Sequence, residues 1–263
     1  MKKYYLWLLL IAVLPIHSQI LNVDRISEND SVFKKWTGYT DVSFSSDKLK
    51  KNVLDGSTKF ELNHFLKNNY FFVFALNNDF TLNGKDMIQN EGFIQVRFRD
   101  KDSREWSNES YAQYQWNGAL GMEYRKVIGS NVRKRFFEKK KLDLYAGLGV
   151  FHESEQWNWS GVTNYELLET TPTLNRALFR LNNYWKMAYK INENVDISAI
   201  SYFQLPMNRG FLNMRWFMDI NTYIKMSKNL SFVIHYDHTI DNYRLVPVAN
   251  FYYSLNFGIQ LKW

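Results

Sequence analysis

His152 and Ser154 are the residues whose types and spacing come nearest to those of a nucleophilic catalyst. A serine hydroxyl becomes nucleophilic when a histidine within hydrogen-bond reach takes its proton and a third polar group orients the imidazole. Residues two apart on a strand share a face, so these side chains could meet if a strand carries them. Asn158 and Asn164 follow as candidates for the third group.

Glu153 and Glu155 alternate with this pair. Hard divalent cations take oxygen ligands, so the two carboxylates could bind such an ion. We favour pairing with an arginine, Arg97, Arg99 or Arg125, on other segments. Two glutamates alone do not specify a metal, so no metal site and no cofactor is predicted. The other histidines of the mature chain show no metal-ligand spacing; they are His64, His235 and His238.

An alternation of apolar and polar residues marks the elements that would carry these side chains. It is clearest at 251–263, where the odd positions are apolar and the even positions are mostly polar. Successive side chains of a strand point to opposite faces, so one face must meet an apolar environment. In a soluble domain this strand would be an aggregation-prone edge. In an outer-membrane barrel, the apolar face meets lipid and the polar face meets the lumen, so such a strand is required.

The same segment resembles an assembly signal. Outer-membrane insertion machinery recognises a closing strand that ends in an aromatic residue and has apolar residues at alternate positions before it. The residues that match are Tyr253, Phe257, Ile259, Leu261 and Trp263. We therefore expect the barrel-assembly machinery to be a partner of this chain.

The period of two recurs along the chain in about twelve segments of roughly ten to fourteen residues. Counting the segments between the polar breaks predicts about twelve strands, with both ends of the barrel chain on the periplasmic side. Ten or fourteen stay open, because Asn117-Gly118 within 106–137 could be a tight hairpin or an irregularity. The sequence thus predicts an all-β fold, an antiparallel transmembrane β-barrel of the bacterial outer membrane.

The N-terminus indicates export. Lys2 and Lys3 precede an apolar run at 4–14, and a short polar stretch at 17–19 follows. This pattern is typical of a cleaved signal peptide, and the run is too short to span a bilayer as a helix. We expect a signal peptide at 1–18, a short leader at 19–33 and the barrel domain at 34–263.

Composition agrees with this class. Aromatic residues make up 17% of the chain, and the interfacial girdles of a barrel use them. The chain has no cysteine, which excludes disulfides, thiolate metal sites and a lipidated cysteine. The net charge of +7 includes the two lysines of the signal. It suits anionic lipid headgroups, and no nucleic-acid partner is expected for an exported protein.

Charged residues of both signs fall at lumen-facing positions of the predicted strands. Mixed charges in a narrow lumen favour a salt-bridged filling of side chains over an ion-selective pore. The predicted network comprises Arg97, Arg99, Glu123, Arg125, Glu153, Arg215, Asp219 and Asp237.

The central region resembles the salt-induced outer-membrane protein family, a family of unknown biochemical role. The resemblance extends over roughly 36–263 and is strongest at 90–156. It rests on the segments 90–93, 97–99, 109–115, Tyr124-Arg125 and 152–155, together with Leu120, Gly129, Gly147 and Gly149. It implies an outer-membrane barrel with a role in envelope integrity or salt response, and it brings no catalytic residues.

A second resemblance concerns the catalytic candidates. The outer-membrane phospholipase A is also a twelve-stranded barrel, with a His-x-Ser pair and a downstream asparagine on its outer wall. This chain has Phe151 and Glu155-Gln156 where that family has an asparagine before the histidine and Asn-Gly after the serine. The pair His152 and Ser154 is therefore a weak candidate for catalysis.

Three functions follow from these observations. The first is an envelope barrel with a side-chain-filled lumen, acting in membrane integrity or osmotic response. The second is a narrow channel for small solutes, and the third is a lipid hydrolase that uses His152 and Ser154. We expect a monomer in the outer membrane, with membrane lipids and lipopolysaccharide as further partners.

Overall fold

A computed structural model describes residues 35–48, 52–66, 70–100, 105–139, 141–162 and 173–262. The predicted signal, the leader, Asn164 and Trp263 lie outside these residues. The strands in the described ranges are β1 Trp36–Lys48, β2 Asn52–Phe65, β3 Tyr70–Asn83, β4 Asp86–Asp100, β5 Trp106–Asn117, β6 Met122–Lys139, β7 Leu142–Trp157, β8 Leu174–Lys190, β9 Val195–Pro206, β10 Arg215–Lys225, β11 Leu230–Asp241 and β12 Phe251–Lys262. In the same ranges, no helix is long and apolar enough to cross a membrane.

The strands form one closed antiparallel barrel, in which each strand pairs with its neighbours in sequence and β1 closes on β12. The predicted fold class and the count of about twelve strands are confirmed. The ambiguous region contains a hairpin between β5 and β6. The Asn117 side chain accepts a hydrogen bond from the Leu120 amide at 3.0 Å, and Gly121 has a φ of 77°. That left-handed conformation favours glycine and completes the turn.

Alternation divides the side chains between an apolar outer surface and a mostly polar lumen. On β12 the odd residues from Phe251 to Leu261 are exposed apolar side chains, while Ser254 and Gln260 are buried inside. Two groups of apolar residues depart from this rule and lie on the inner face. They are Phe71, Val73, Ala75 and Phe93 on β3 and β4, and Tyr184, Ile200, Tyr202 and Phe217 on β8 to β10.

Glycines make room for aromatic rings inside the barrel. A Cβ on Gly147 would collide with the ring of Tyr184, and one on Gly129 would lie 2.8 Å from the Tyr111 hydroxyl. These inner positions therefore need glycine so that rings can lie flat against the wall.

Connections cover part of the outer end, which is the end opposite the first residue of β1. Val246, from the β11–β12 connection, is buried against Trp157 and Tyr252. Leu120 and Met122 at the β5–β6 hairpin join this cluster. The lumen is therefore partly closed at this end by apolar packing.

The seam that closes the barrel is short. Among the described residues, β1 and β12 pair from Tyr39↔Lys262 to Val42↔Ile259, whereas β1 pairs with β2 along its whole length. Residues 43–48 and 251–258 form no pair with one another in these described strands. The described pairing of this seam thus lies near the termini.

Candidate functional site

Glu153 lies at the centre of a buried charge cluster inside the barrel. Its position on β7 points the side chain inward, and the residue has 0% exposure. Its Oε1 accepts a hydrogen bond from Arg180 Nε at 2.8 Å, and its Oε2 lies 2.7 Å from Arg215 Nη1 and 3.4 Å from Arg125 Nε. These arginines come from β8, β10 and β6, so one carboxylate ties four strands together.

Glu155, two residues along β7, extends the cluster towards the outer end. Its Oε2 lies 3.2 Å from Arg125 Nη2 and accepts a hydrogen bond from Trp157 Nε1 at 2.9 Å. Its Oε1 pairs with Arg176 on β8. Of the three arginines expected as partners for these glutamates, Arg125 contacts both.

Arg215 links the cluster to β11 and β9. Its Nε donates to Asp241 Oδ2 at 2.8 Å, and its Nη1 also approaches Gln204 Oε1 at 3.4 Å. Arg176 and Asp241 were missed by the sequence analysis. Each occupies an inward-facing position of its strand, so alternation could have included them, but nothing in the sequence places them beside Glu153 or Arg215.

Arg97 and Arg99 are buried on β4 in other surroundings. Arg97 Nη1 lies 3.3 Å from Glu109 Oε2 and its guanidinium lies over the Tyr111 ring. The Arg99 guanidinium lies 5.1 Å from the centre of the Phe71 ring. Both side chains are buried inside the barrel, through different contacts from those of Glu153.

Asp219 and Asp237 form a separate polar group on the wall of β10 to β12. His235 Nε2 lies 2.7 Å from Asp219 Oδ2, and Ser254 Oγ donates to Asp237 Oδ1 at 2.7 Å. Lys59 on β2 reaches across to His235 Nδ1 at 3.0 Å. This group is also a hydrogen-bonded part of the lumen.

The expectation for Glu123 was wrong. The pairing of β6 with β7 shifts between Met122 and Tyr124, and Glu123 is exposed at that irregularity. Its carboxylate accepts a hydrogen bond from Asn158 Nδ2 at 3.1 Å. The bulge removes this residue from the inward series that Arg125 begins.

The catalytic candidates do not assemble. His152 and Ser154 share the outward face of β7, but no hydrogen bond joins them in the described residues, and His152 packs edge-on against Phe179. Asn158 is occupied by Glu123 and Ser160. The outer wall therefore presents two separate polar side chains here, without the proton relay that a serine nucleophile needs. Across the described ranges, no three acidic or histidine side chains are grouped as a metal site requires.

Little free space is left beside the cluster. A cavity of about 40 Å³ lies among side chains of β4 to β10. Its lining includes Arg97, Arg125, Glu153, Arg215, Asn182 and Gln204. This space is enough for about three water molecules. Above it, the Arg244 guanidinium lies 4.3 Å from the centre of the Tyr252 ring, and burial lowers its pKa below the ordinary value.

The fold and the lumen define the class of protein. A closed antiparallel barrel pairs its backbone internally and can therefore cross a bilayer, given an apolar outer surface. Here that surface carries a band of exposed apolar residues, while charged side chains point inward. The protein is a β-barrel of the bacterial outer membrane.

No protein-family model and no curated protein matches the sequence. The chain is similar in fold to the NanC porin, with 13% sequence identity, coverage of 86% of this chain and 100% of that chain, and a TM-score of 0.49. It is also similar to the KdgM porin, with 9% sequence identity, coverage of 87% of this chain and 99% of that chain, and a TM-score of 0.44. A third similar structure is the translocator domain of autotransporter NalP from Neisseria meningitidis. Its sequence identity is 9%, the match covers 89% of this chain and 90% of that chain, and the TM-score is 0.44. These similarities concern the fold alone.

Proposed function

We propose that this protein is a barrel with a side-chain-filled lumen that acts in envelope integrity or in the response to osmotic conditions. The observation that carries the proposal is the cluster around Glu153. Three guanidiniums from three other strands surround one fully buried carboxylate. A solute moving along the axis would have to break these ion pairs in a low-dielectric interior, where an unpaired charge is strongly unfavourable.

The salt-response part of the proposal has separate support. A role in the response to salt is supported by the resemblance of residues 90–156 to the salt-induced outer-membrane protein family. A barrel that does not conduct would add mechanical continuity to the membrane without leaking ions. Membrane lipids, lipopolysaccharide and the barrel-assembly machinery are the partners we propose, with a monomeric barrel as the working state.

A narrow channel is the second candidate. The observation that favours it is the lining of the small cavity, where Arg97, Arg125 and Arg215 alternate with amide side chains. Such a lining would favour anions over cations if the cluster opened.

Efflux from liposomes separates the two candidates. Purified full-length protein would be inserted into vesicles loaded with potassium chloride and, in parallel, with a small neutral sugar. The filled lumen predicts retention of both over minutes, as in protein-free vesicles. Rapid loss of chloride with retention of the sugar would instead support the narrow, anion-favouring channel.

A further inference from the structure

Two arginines of the cluster present donors that the protein does not use. Arg180 has 0% exposure, and its Nε donates to Glu153, but Nη1 and Nη2 have no hydrogen-bond partner among the described residues. Arg215 is 2% exposed, and its Nη2 is likewise buried without a partner in that part of the chain. Arginine has donors only, so water, other protein acceptors or an anion can satisfy these nitrogens.

The charge balance of the cluster also favours a bound anion. The ion pairs that surround Glu153 join four arginines to three carboxylates, namely Arg125, Arg176, Arg180 and Arg215 with Glu153, Glu155 and Asp241. Both oxygens of Glu153 are already taken by arginines. Arg244 adds a further guanidinium near Arg215, and its three nitrogens also lack hydrogen-bond partners in the described residues. Counted over the described residues, the cluster is therefore positive.

The cavity beside Arg215 has the size and chemistry for a small ion. It measures about 40 Å³, and its lining includes Arg97, Arg125 and Arg215, the neutral amides of Asn182 and Gln204, and Glu153, whose carboxylate is already paired with Arg125 and Arg215. About three water molecules, or one tetrahedral oxyanion of similar extent, fill such a space. Guanidiniums match the oxygens of phosphate and sulfate in geometry as well as in charge.

We propose that this cavity is a binding site for one small inorganic oxyanion of the phosphate or sulfate type, held by Arg97, Arg125 and Arg215. The ion would occupy the unused Arg215 donor and offset the positive excess of the cluster. Binding would stabilise the folded barrel, because the site exists only when β4, β6 and β10 are assembled. Anion binding does not depend on whether the lumen conducts, because it requires only the charge of the arginine cluster and the space of the cavity.

The test is the thermal unfolding of full-length protein in detergent, followed by the loss of the folded band on unheated gels. Inorganic phosphate and sulfate would be compared with chloride at equal ionic strength. We expect either oxyanion to raise the unfolding midpoint by at least about 2 °C relative to chloride. Equilibrium dialysis with radiolabelled phosphate should give one site per barrel.

Two variants make the assignment specific. Arg215→Lys keeps the charge but loses the forked donor, and Gln204→Leu removes a neutral donor without changing charge. Each should weaken phosphate binding at least tenfold, whereas Arg209→Gln, in an exposed loop, should leave it unchanged. Equal midpoints in phosphate and chloride would overturn the proposal, as would unaltered binding in Gln204→Leu. A shift produced by short-chain phosphatidylglycerol but not by inorganic phosphate would place the phosphate site at the lipid surface and also overturn it.

Discussion

Glu153 is the residue on which most of the lumen contacts converge. Its carboxylate is fully buried and lies within 3.4 Å of arginines from β6, β8 and β10. A buried ion pair adds little net stability compared with a well-packed apolar pair, but removing one partner leaves the other charges uncompensated. The consequence is greatest for a carboxylate that serves three guanidiniums.

Replacing Glu153 by Gln should therefore destabilise the barrel by about 3–5 kcal/mol, the cost of breaking a buried pair. Urea unfolding, followed by tryptophan fluorescence, measures the change. Glu123→Gln is the matched control, since this glutamate is exposed and the same substitution should change stability by less than about 0.5 kcal/mol. Similar midpoints for the two variants would mean that the cluster is not a coupled network.

At the scale of the strands, the β1–β12 seam has the shortest pairing among the described residues. Thr40 and Leu261 are register partners on the outer face. Extending the same register would pair Ser46 with Leu255, where the structure has no pairing among the described residues. The chain has no cysteine of its own, so cysteine pairs can report on this seam directly.

We expect Thr40→Cys with Leu261→Cys to form a disulfide upon mild oxidation, because directly opposed residues on paired strands have close Cβ atoms. The pair Ser46→Cys with Leu255→Cys should stay reduced. Gel mobility with and without reductant distinguishes the outcomes. Efficient cross-linking of the second pair would show that the seam closes along its length.

The closing strand also carries the predicted assembly signal. β12 pairs with both β11 and β1, and an unclosed barrel would leave backbone groups unpaired in hydrocarbon. Deleting residues 257–263 should abolish insertion, with the chain degraded or aggregated in the periplasm. A pulse-chase of protease resistance measures insertion. A truncated chain that inserts at the parent rate would show that this segment is not required for closure.

The strands could be predicted from sequence because the alternation is a local property that lipid and lumen impose on every strand. The hairpin at Asn117 could not be decided, since its evidence is a single turn signal, and the structure shows a capped turn there. Glu123 was assigned to the wrong side because one bulge reverses a local alternation. The partners of Glu153 could not be predicted, because contacts across a lumen depend on how the strands are staggered around the barrel.

At the scale of the whole molecule, closure and an apolar outer surface belong together, and the proposed filled lumen builds on both. Backbone pairing around the barrel permits insertion into lipid, and the inward-facing charges then find partners among one another and among the polar side chains of the lumen. Apolar packing at Val246 and Trp157 covers part of the outer end. Under the proposed function, the wall crosses the membrane without an open axis.

Single-channel recording in a planar bilayer tests that central claim most directly. Purified full-length protein, shown to be folded by its altered mobility on unheated gels, would be inserted under an applied potential in concentrated salt. The filled lumen predicts a silent bilayer after insertion, apart from the background of the lipid. Stable, ion-selective conductance steps that appear with each insertion would contradict it and establish the protein as a channel.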